Sequence, residues 1–174
     1  MQINESNSPE LGHAPKHNKP SARLTIWGIL LALVIGVITG TVGTVLHLNS
    51  FWTGSFGIPW GVAVALVVAG LAQWWIGLRT ANIIASGLTG LAQYITLAVF
   101  STMSRGDIFT VPITAETWQF VPHLVIANLA WHIGLIVLTM IIVVLLNRTL
   151  RRTRDQLTAS DTQSHPAVHV GQNR

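Results

Sequence analysis

The chain has 174 residues, of which 50% are hydrophobic and 9% charged, with a net charge of +4. A soluble globular domain is about 25% charged, so this composition excludes an ordinary soluble fold and indicates a multi-span membrane protein. Cysteine is absent, which removes disulfides, zinc–thiolate sites, iron–sulfur clusters and cysteine nucleophiles.

Residues 1–22 are polar and hold Pro9, Pro15 and Pro20, so a disordered tail is expected there. The first span is predicted over about 24–46, long enough to cross the ~30 Å hydrocarbon layer. Gly36, Gly40 and Thr44 recur every four residues, a row that lets another backbone approach closely. His47 closes this span. A short loop follows, rich in aromatics and without Lys or Arg.

The second span is predicted over about 58–78, with Pro59 in its first turn. Gly57, Gly61, Ala65, Ala69, Gln73 and Gly77 recur every four residues. This smooth groove predicts a steep, close crossing, with the glycine row of span one as the candidate partner. Gly61, Ala65 and Ala69 are its central packing positions. Only Arg79 and Thr80 lead into the third span, so spans two and three are expected to form a tight hairpin.

The third span, about 81–100, is the most informative stretch. Asn82, Ser86, Thr89, Gln93 and Thr96 are spaced 4, 3, 4, 3, which places them on one helix face. Lipid offers such a face no hydrogen bonds, so it is expected to turn inward. The loop 101–122 contains Arg105, Asp107 and Glu116. Thr114 is the candidate cap of a short interfacial helix there.

The fourth span is predicted over about 123–146, with Asn128, His132 and Thr139 on one face. A single antiparallel register pairs Gln93 with His132, Thr96 with Asn128 and Ser86 with Thr139, with Gln93 and His132 about 10–12 Å deep. Two readings compete for this cluster. In one, the polar groups are glue between helices. In the other they line a polar path, with His132 as the ionisable group inside the membrane.

Arg148, Arg151, Arg152 and Arg154 follow the fourth span and are expected to touch anionic headgroups. A basic and then disordered tail, 148–174, completes the chain. Nine of the ten Lys and Arg residues fall on the side of the two tails, and only Arg105 falls opposite. The positive-inside rule then puts both termini on the cytoplasmic face of the membrane. The basic residues flank apolar runs instead of forming a stripe with interleaved aromatics, so no nucleic-acid partner is expected.

Several short patterns resemble a family of small four-span integral membrane proteins of unknown function from high-GC Gram-positive bacteria. They are Gly40, Gly43 and His47; Gly57, Pro59 and Gly61; and Arg105–Gly106–Asp107 followed by Val111–Pro112. The resemblance covers roughly residues 24–146. It implies the four-span topology and adds no activity.

The expected fold is therefore an all-α four-transmembrane-helix bundle with disordered polar tails. No paired carboxylates inside a span, serine motif or phosphate-binding loop occurs, so no catalytic, cofactor or metal site is assigned. The expected function is that of a non-catalytic accessory, assembly or scaffold subunit that packs against a membrane partner or itself. The alternative is a small transporter or channel subunit with a polar path near Gln93 and His132.

Overall fold

The computed structural model describes residues 22–54, 56–103 and 111–164. The chain is mostly helical. Among the described residues, four helices are long and apolar enough to cross a membrane. They are α1 (Ala22–Leu46), α2 (Trp60–Thr80), α3 (Ile83–Met103) and α5 (Pro122–Ser164), with the short α4 (Ala115–Phe120) before α5. Two-residue strands β1 (Phe51–Trp52) and β2 (Gly57–Ile58) pair antiparallel in the α1–α2 connection. The expected N-terminal tail and Arg105–Gly106–Asp107 lie outside the described residues.

Helix boundaries follow local chemistry. Gly57 and Ile58 belong to the strand ladder, so α2 starts at Trp60 and not at Ile58, and Pro59 precedes the helix. Gly54 turns the β1–β2 connection with φ +94°, a conformation that glycine adopts without steric cost. At the other end of α2, Ala81 takes a left-handed conformation (φ 47°), and its N–H reaches Gly77 O and Leu78 O. That satisfies carbonyls the helix end leaves open. Asn82 then accepts from Ile84 N through Oδ1 at 2.9 Å. The two residues thus punctuate the α2–α3 turn, and α3 begins at Ile83, two residues later than the periodicity suggests. Thr114 caps α4, exchanging hydrogen bonds with Thr117.

The largest departure concerns α5. The change from apolar to charged residues near Leu146 reads as the end of a span and the start of a tail. In the structure the helix continues without interruption to Ser164. No Gly or Pro occurs after Gly134 in this helix, so nothing breaks it. Arg151 Nε donates to Asn147 Oδ1 one turn earlier at 3.1 Å. The hydroxyls of Thr149 and Thr153 donate to carbonyls four residues back.

The core has two parts. The larger joins Val62, Ala65 and Ala69 of α2, Leu97 of α3, and Ala127, Trp131 and Leu135 of α5. The smaller joins Ala32, Ile76 and Ala85 at the end where α2 turns into α3. Outward positions remain apolar along every long helix, among them Ile26, Leu33, Val37, Val67, Leu71, Ile95, Ile133 and Val144. A surface this apolar requires a non-aqueous surrounding or a partner.

Candidate functional site

The small-residue rows decide which helices meet. A β-carbon at Gly36 would sit 2.6 Å from Ala92 Cβ and 2.7 Å from Thr89 O; one at Gly40 would sit 2.9 Å from Gln93 Cα. The α1 row therefore receives α3, not α2. Thr44, the third member, is buried with no hydrogen-bond partner for its hydroxyl. The α2 row is shared. Gly61 lies against the carbonyls of Leu46 and Asn49, and its N–H donates to Asn49 O at 3.0 Å. Gly70 and Gly77 receive Leu138 and Leu146 of α5. Ala65 and Ala69 are fully buried in the larger core. Both rows are thus occupied within the chain.

The close α1–α3 approach explains the fate of the polar stripe. Ser86, Thr89, Gln93 and Thr96 are all buried; Asn82 stands apart at the α2–α3 turn. Gln93 does not meet His132. Its Oε1 accepts from Gln73 Nε2 at 2.7 Å, and its Nε2 donates to Thr39 Oγ1 at 2.8 Å and to Ala69 O at 3.3 Å. Gln73 Nε2 also donates to Thr139 Oγ1 at 3.1 Å. Thr39 and Thr139 pass their own protons to Ile35 O and Leu135 O. One continuous run of hydrogen bonds therefore touches all four long helices. Gly90 makes room for it: a β-carbon there would meet both Thr139 and Gln73. The α3–α5 register differs from the predicted one: Thr139 lies against Gly90, one turn beyond Ser86, and Gln93 Oε1 takes Gln73 of α2 as its partner.

The other stripe members turn to local partners. Thr89 and Thr96 donate to Ala85 O and Ala92 O. Ser86 Oγ has no partner. Asn128 Nδ2 donates to Val111 O at 3.0 Å. His132 Nδ1 lies 2.8 Å from Asn128 O in its own helix.

A second polar layer lies at the end of α1. His47 is fully buried, its Nδ1 lies 2.7 Å from Thr44 O, and its ring stacks on Trp131 at 5.9 Å between centroids. Burial pushes the His47 imidazole below its ordinary pKa, against the raising effect of the Thr44 carbonyl and the Asn128 side chain. His123 packs on Gly57 and lies 5.6 Å from the Trp52 ring centre. Among the described residues no three His, Asp or Glu side chains are grouped closely enough to hold a metal ion. Glu116 and Asp155 are exposed. Arg148, Arg151, Arg152 and Arg154 are exposed on the α5 extension.

Sequence reasoning missed Thr39 and Trp131 and gave Gln73 only a packing role. A signal existed for Gln73. It is the one amide in a row of glycines and alanines, and a polar group in a buried groove needs a partner. Thr39 falls between Gly36 and Gly40 on the same face of α1. Comparison with family models, curated proteins and solved structures finds no match to the chain.

Between α3 and α5 lies an apolar cavity of about 250 Å³, lined by Gly87, Gly90, Leu91, Tyr94, Ile136 and Met140 among others. A β-carbon at Gly87 would meet nothing within 4 Å.

Proposed function

We propose that the protein is a non-catalytic accessory or scaffold subunit of a bacterial plasma membrane. It is a four-helix transmembrane bundle with both termini cytoplasmic, and it packs against another membrane protein. The orientation rests on the Lys and Arg distribution. The resemblance to the small four-span family agrees with this topology. The basic α5 extension lies on the cytoplasmic side in this orientation, where anionic headgroups attract its four arginines.

The observation that carries the reading is the α3–α5 groove. The two glycine rows that suggested a docking face are used internally, and Gly87 is a small-residue position with free space in front of it. The groove is apolar and open to the side, so its chemistry suits an apolar helix and not a polar solute. A photo-crosslinking side chain at Gly87 or Met140 is expected to give a discrete protein adduct in native membranes, and one at Val34 on α1 is not. Gly87→Trp brings an indole over the groove from a position whose β-carbon meets nothing within 4 Å. It is expected to weaken the captured association at least tenfold, about 1.4 kcal/mol. Lipid adducts alone at all three positions would remove this reading.

The alternative, a small transporter or channel subunit, draws on Gln73 Oε1 and Ser86 Oγ, which are buried without partners. A hydrated path would satisfy them. The absence of native cysteine allows a direct test with Ser86→Cys, a near-isosteric change. On the scaffold reading it is protected from a membrane-impermeant thiol reagent, while a cysteine at exposed Ser50 reacts. Rapid reaction at Ser86→Cys would favour the path.

A further inference from the structure

The α5 wall of the α3–α5 groove includes Ile136 and Met140, and α5 continues past them as one helix to Ser164. At about 100° per residue, Asn147, Leu150, Arg151, Arg154 and Leu157 all fall within about 60° of Ile136 around the helix axis. The wall of the groove therefore runs on, beyond the bundle, into a strip that carries two leucines and two arginines. Arg148 and Arg152 fall more than about 100° away, on other faces.

Height along α5 separates what lipid can cover from what it cannot. Leu146 is the last buried residue of α5 among the described residues and packs on Gly77 near the end of α2. Leu157 lies about 17 Å farther along the axis and is 63% exposed. The headgroup layer is only about 5–8 Å deep on each side of the hydrocarbon. With the apolar span ending near Leu146, lipid covers the groove but does not reach Leu157. A helix that leaves the bilayer beside α5 covers both.

Charge selects among such helices. Arg151 and Arg154 are exposed, and the carboxylate next to them in sequence, Asp155, points about 100° away from Ile136. Arg151 spends Nε on Asn147 Oδ1, one of its five donors. A second copy of this chain has the same orientation in the bilayer, so a two-fold contact along this strip sets Arg151 and Arg154 against their own copies. Like charges repel there, whereas carboxylates at the same height are attracted and can pair with the guanidinium fork.

We propose that the occupant of the groove is a transmembrane helix of another protein that continues as a helix beyond the bilayer, with carboxylates against Arg151 and Arg154 and an apolar side chain against Leu157. This rests on the docking role of the groove and adds the chemistry of the partner. Arg151 and Arg154 stand about 17 and 21 Å along α5 from Met140, so on a helix lying alongside, the carboxylates belong roughly 11–14 residues from the side chain beside Met140.

A defined probe tests this on the full chain in phosphatidylcholine vesicles. The probe is a synthetic helix of about 20 leucines and alanines, long enough to span, continued by about 15 helical residues that carry either Glu or Gln. The chain has no native cysteine, so Ser160→Cys on the exposed end of α5 carries a donor dye and the probe carries the acceptor. The Glu probe is expected to associate at least tenfold more tightly than the Gln probe. Arg151→Gln with Arg154→Gln is expected to abolish that ratio. Arg148→Gln with Arg152→Gln removes the same charge from other faces and is expected to keep it. Gly87→Trp is expected to weaken both probes. Equal binding of the two probes to the unaltered chain overturns the proposal and leaves the groove reading standing. Binding of the Glu probe that ignores Gly87→Trp also overturns it, because the arginines then act without the groove. So does energy transfer between copies of the chain that the probe does not displace, which makes a second copy the occupant. A Glu preference that phosphatidylglycerol in the vesicles abolishes assigns the arginines to headgroups and overturns it as well. Binding of neither probe removes the proposal and the groove reading together.

Discussion

Gly36→Leu is expected to lower stability by about 3 kcal/mol or more, at the upper end of what overpacking costs. The position sets the distance between α1 and α3. A β-carbon alone would already crowd Ala92 Cβ at 2.6 Å and the Thr89 carbonyl at 2.7 Å. The Thr89 carbonyl is backbone in the middle of a helix and cannot swing aside as a side chain can. Relief requires α1 to move away, and that movement pulls Thr39 from Gln93. Helix propensity works in the opposite direction, since Gly costs about 1 kcal/mol in a helix interior, and is too small to compensate. Reversible unfolding in a bilayer-like medium measures the loss. Gly87→Ala is the matched comparison. It enjoys the same propensity gain and meets nothing, so it is expected to be neutral or stabilising. Equal effects at the two positions would mean that the α1–α3 approach does not govern stability.

Gln93→Leu is expected to cost about 2–4 kcal/mol. The substitution keeps the volume nearly constant, so it isolates the hydrogen bonds. Interhelical bonds inside membranes average about 0.6 kcal/mol and reach about 1.7, and Gln93 makes three, to Gln73, Thr39 and Ala69 O. It also leaves the Gln73 amide with fewer partners while still buried, which adds a desolvation cost. The pairwise character can be measured. Gln73→Leu combined with Gln93→Leu removes both members, so the double variant should be less destabilised than the sum of the single ones by about 1 kcal/mol. Strict additivity would show that the two amides act independently. His132→Leu breaks only a bond within its own helix and should cost less than Gln93→Leu.

These two residues also mark where a reading of sequence succeeds and stops. That the face of α3 bearing Ser86, Thr89, Gln93 and Thr96 turns inward follows from spacing and the cost of unpaired polar groups. The partner of that face does not follow. Pairing two stripes by register treats helices as isolated pairs, whereas Gln93 is reached by α1 and α2 together. Gly36 and Gly40 bring α1 near, and Gly90 opens the space through which Gln73 enters. Such three-body packing leaves no periodic trace. The extent of α5 was hidden for another reason. A hydropathy reading ends a span where charge begins, but Arg, Gln, Leu and Thr without Gly or Pro sustain a helix equally well. The His47 layer was obscured by distance in sequence, since Trp131 and Asn128 come from the far end of the chain.

The unbroken course of α5 has a mechanical consequence. At 43 residues and ~1.5 Å per residue it is about 64 Å long, roughly twice the hydrocarbon thickness. A helix without glycine or proline after Gly134 has no hinge at which to dissipate bending. The part beyond Asn147 is therefore a lever of about 25 Å. A tilt of about 10° in the part before Asn147 sweeps the far end through about 4 Å, the scale of a helix register shift. A change in the tilt of the preceding part is in this way carried to the far end of α5 with no change in the fold between.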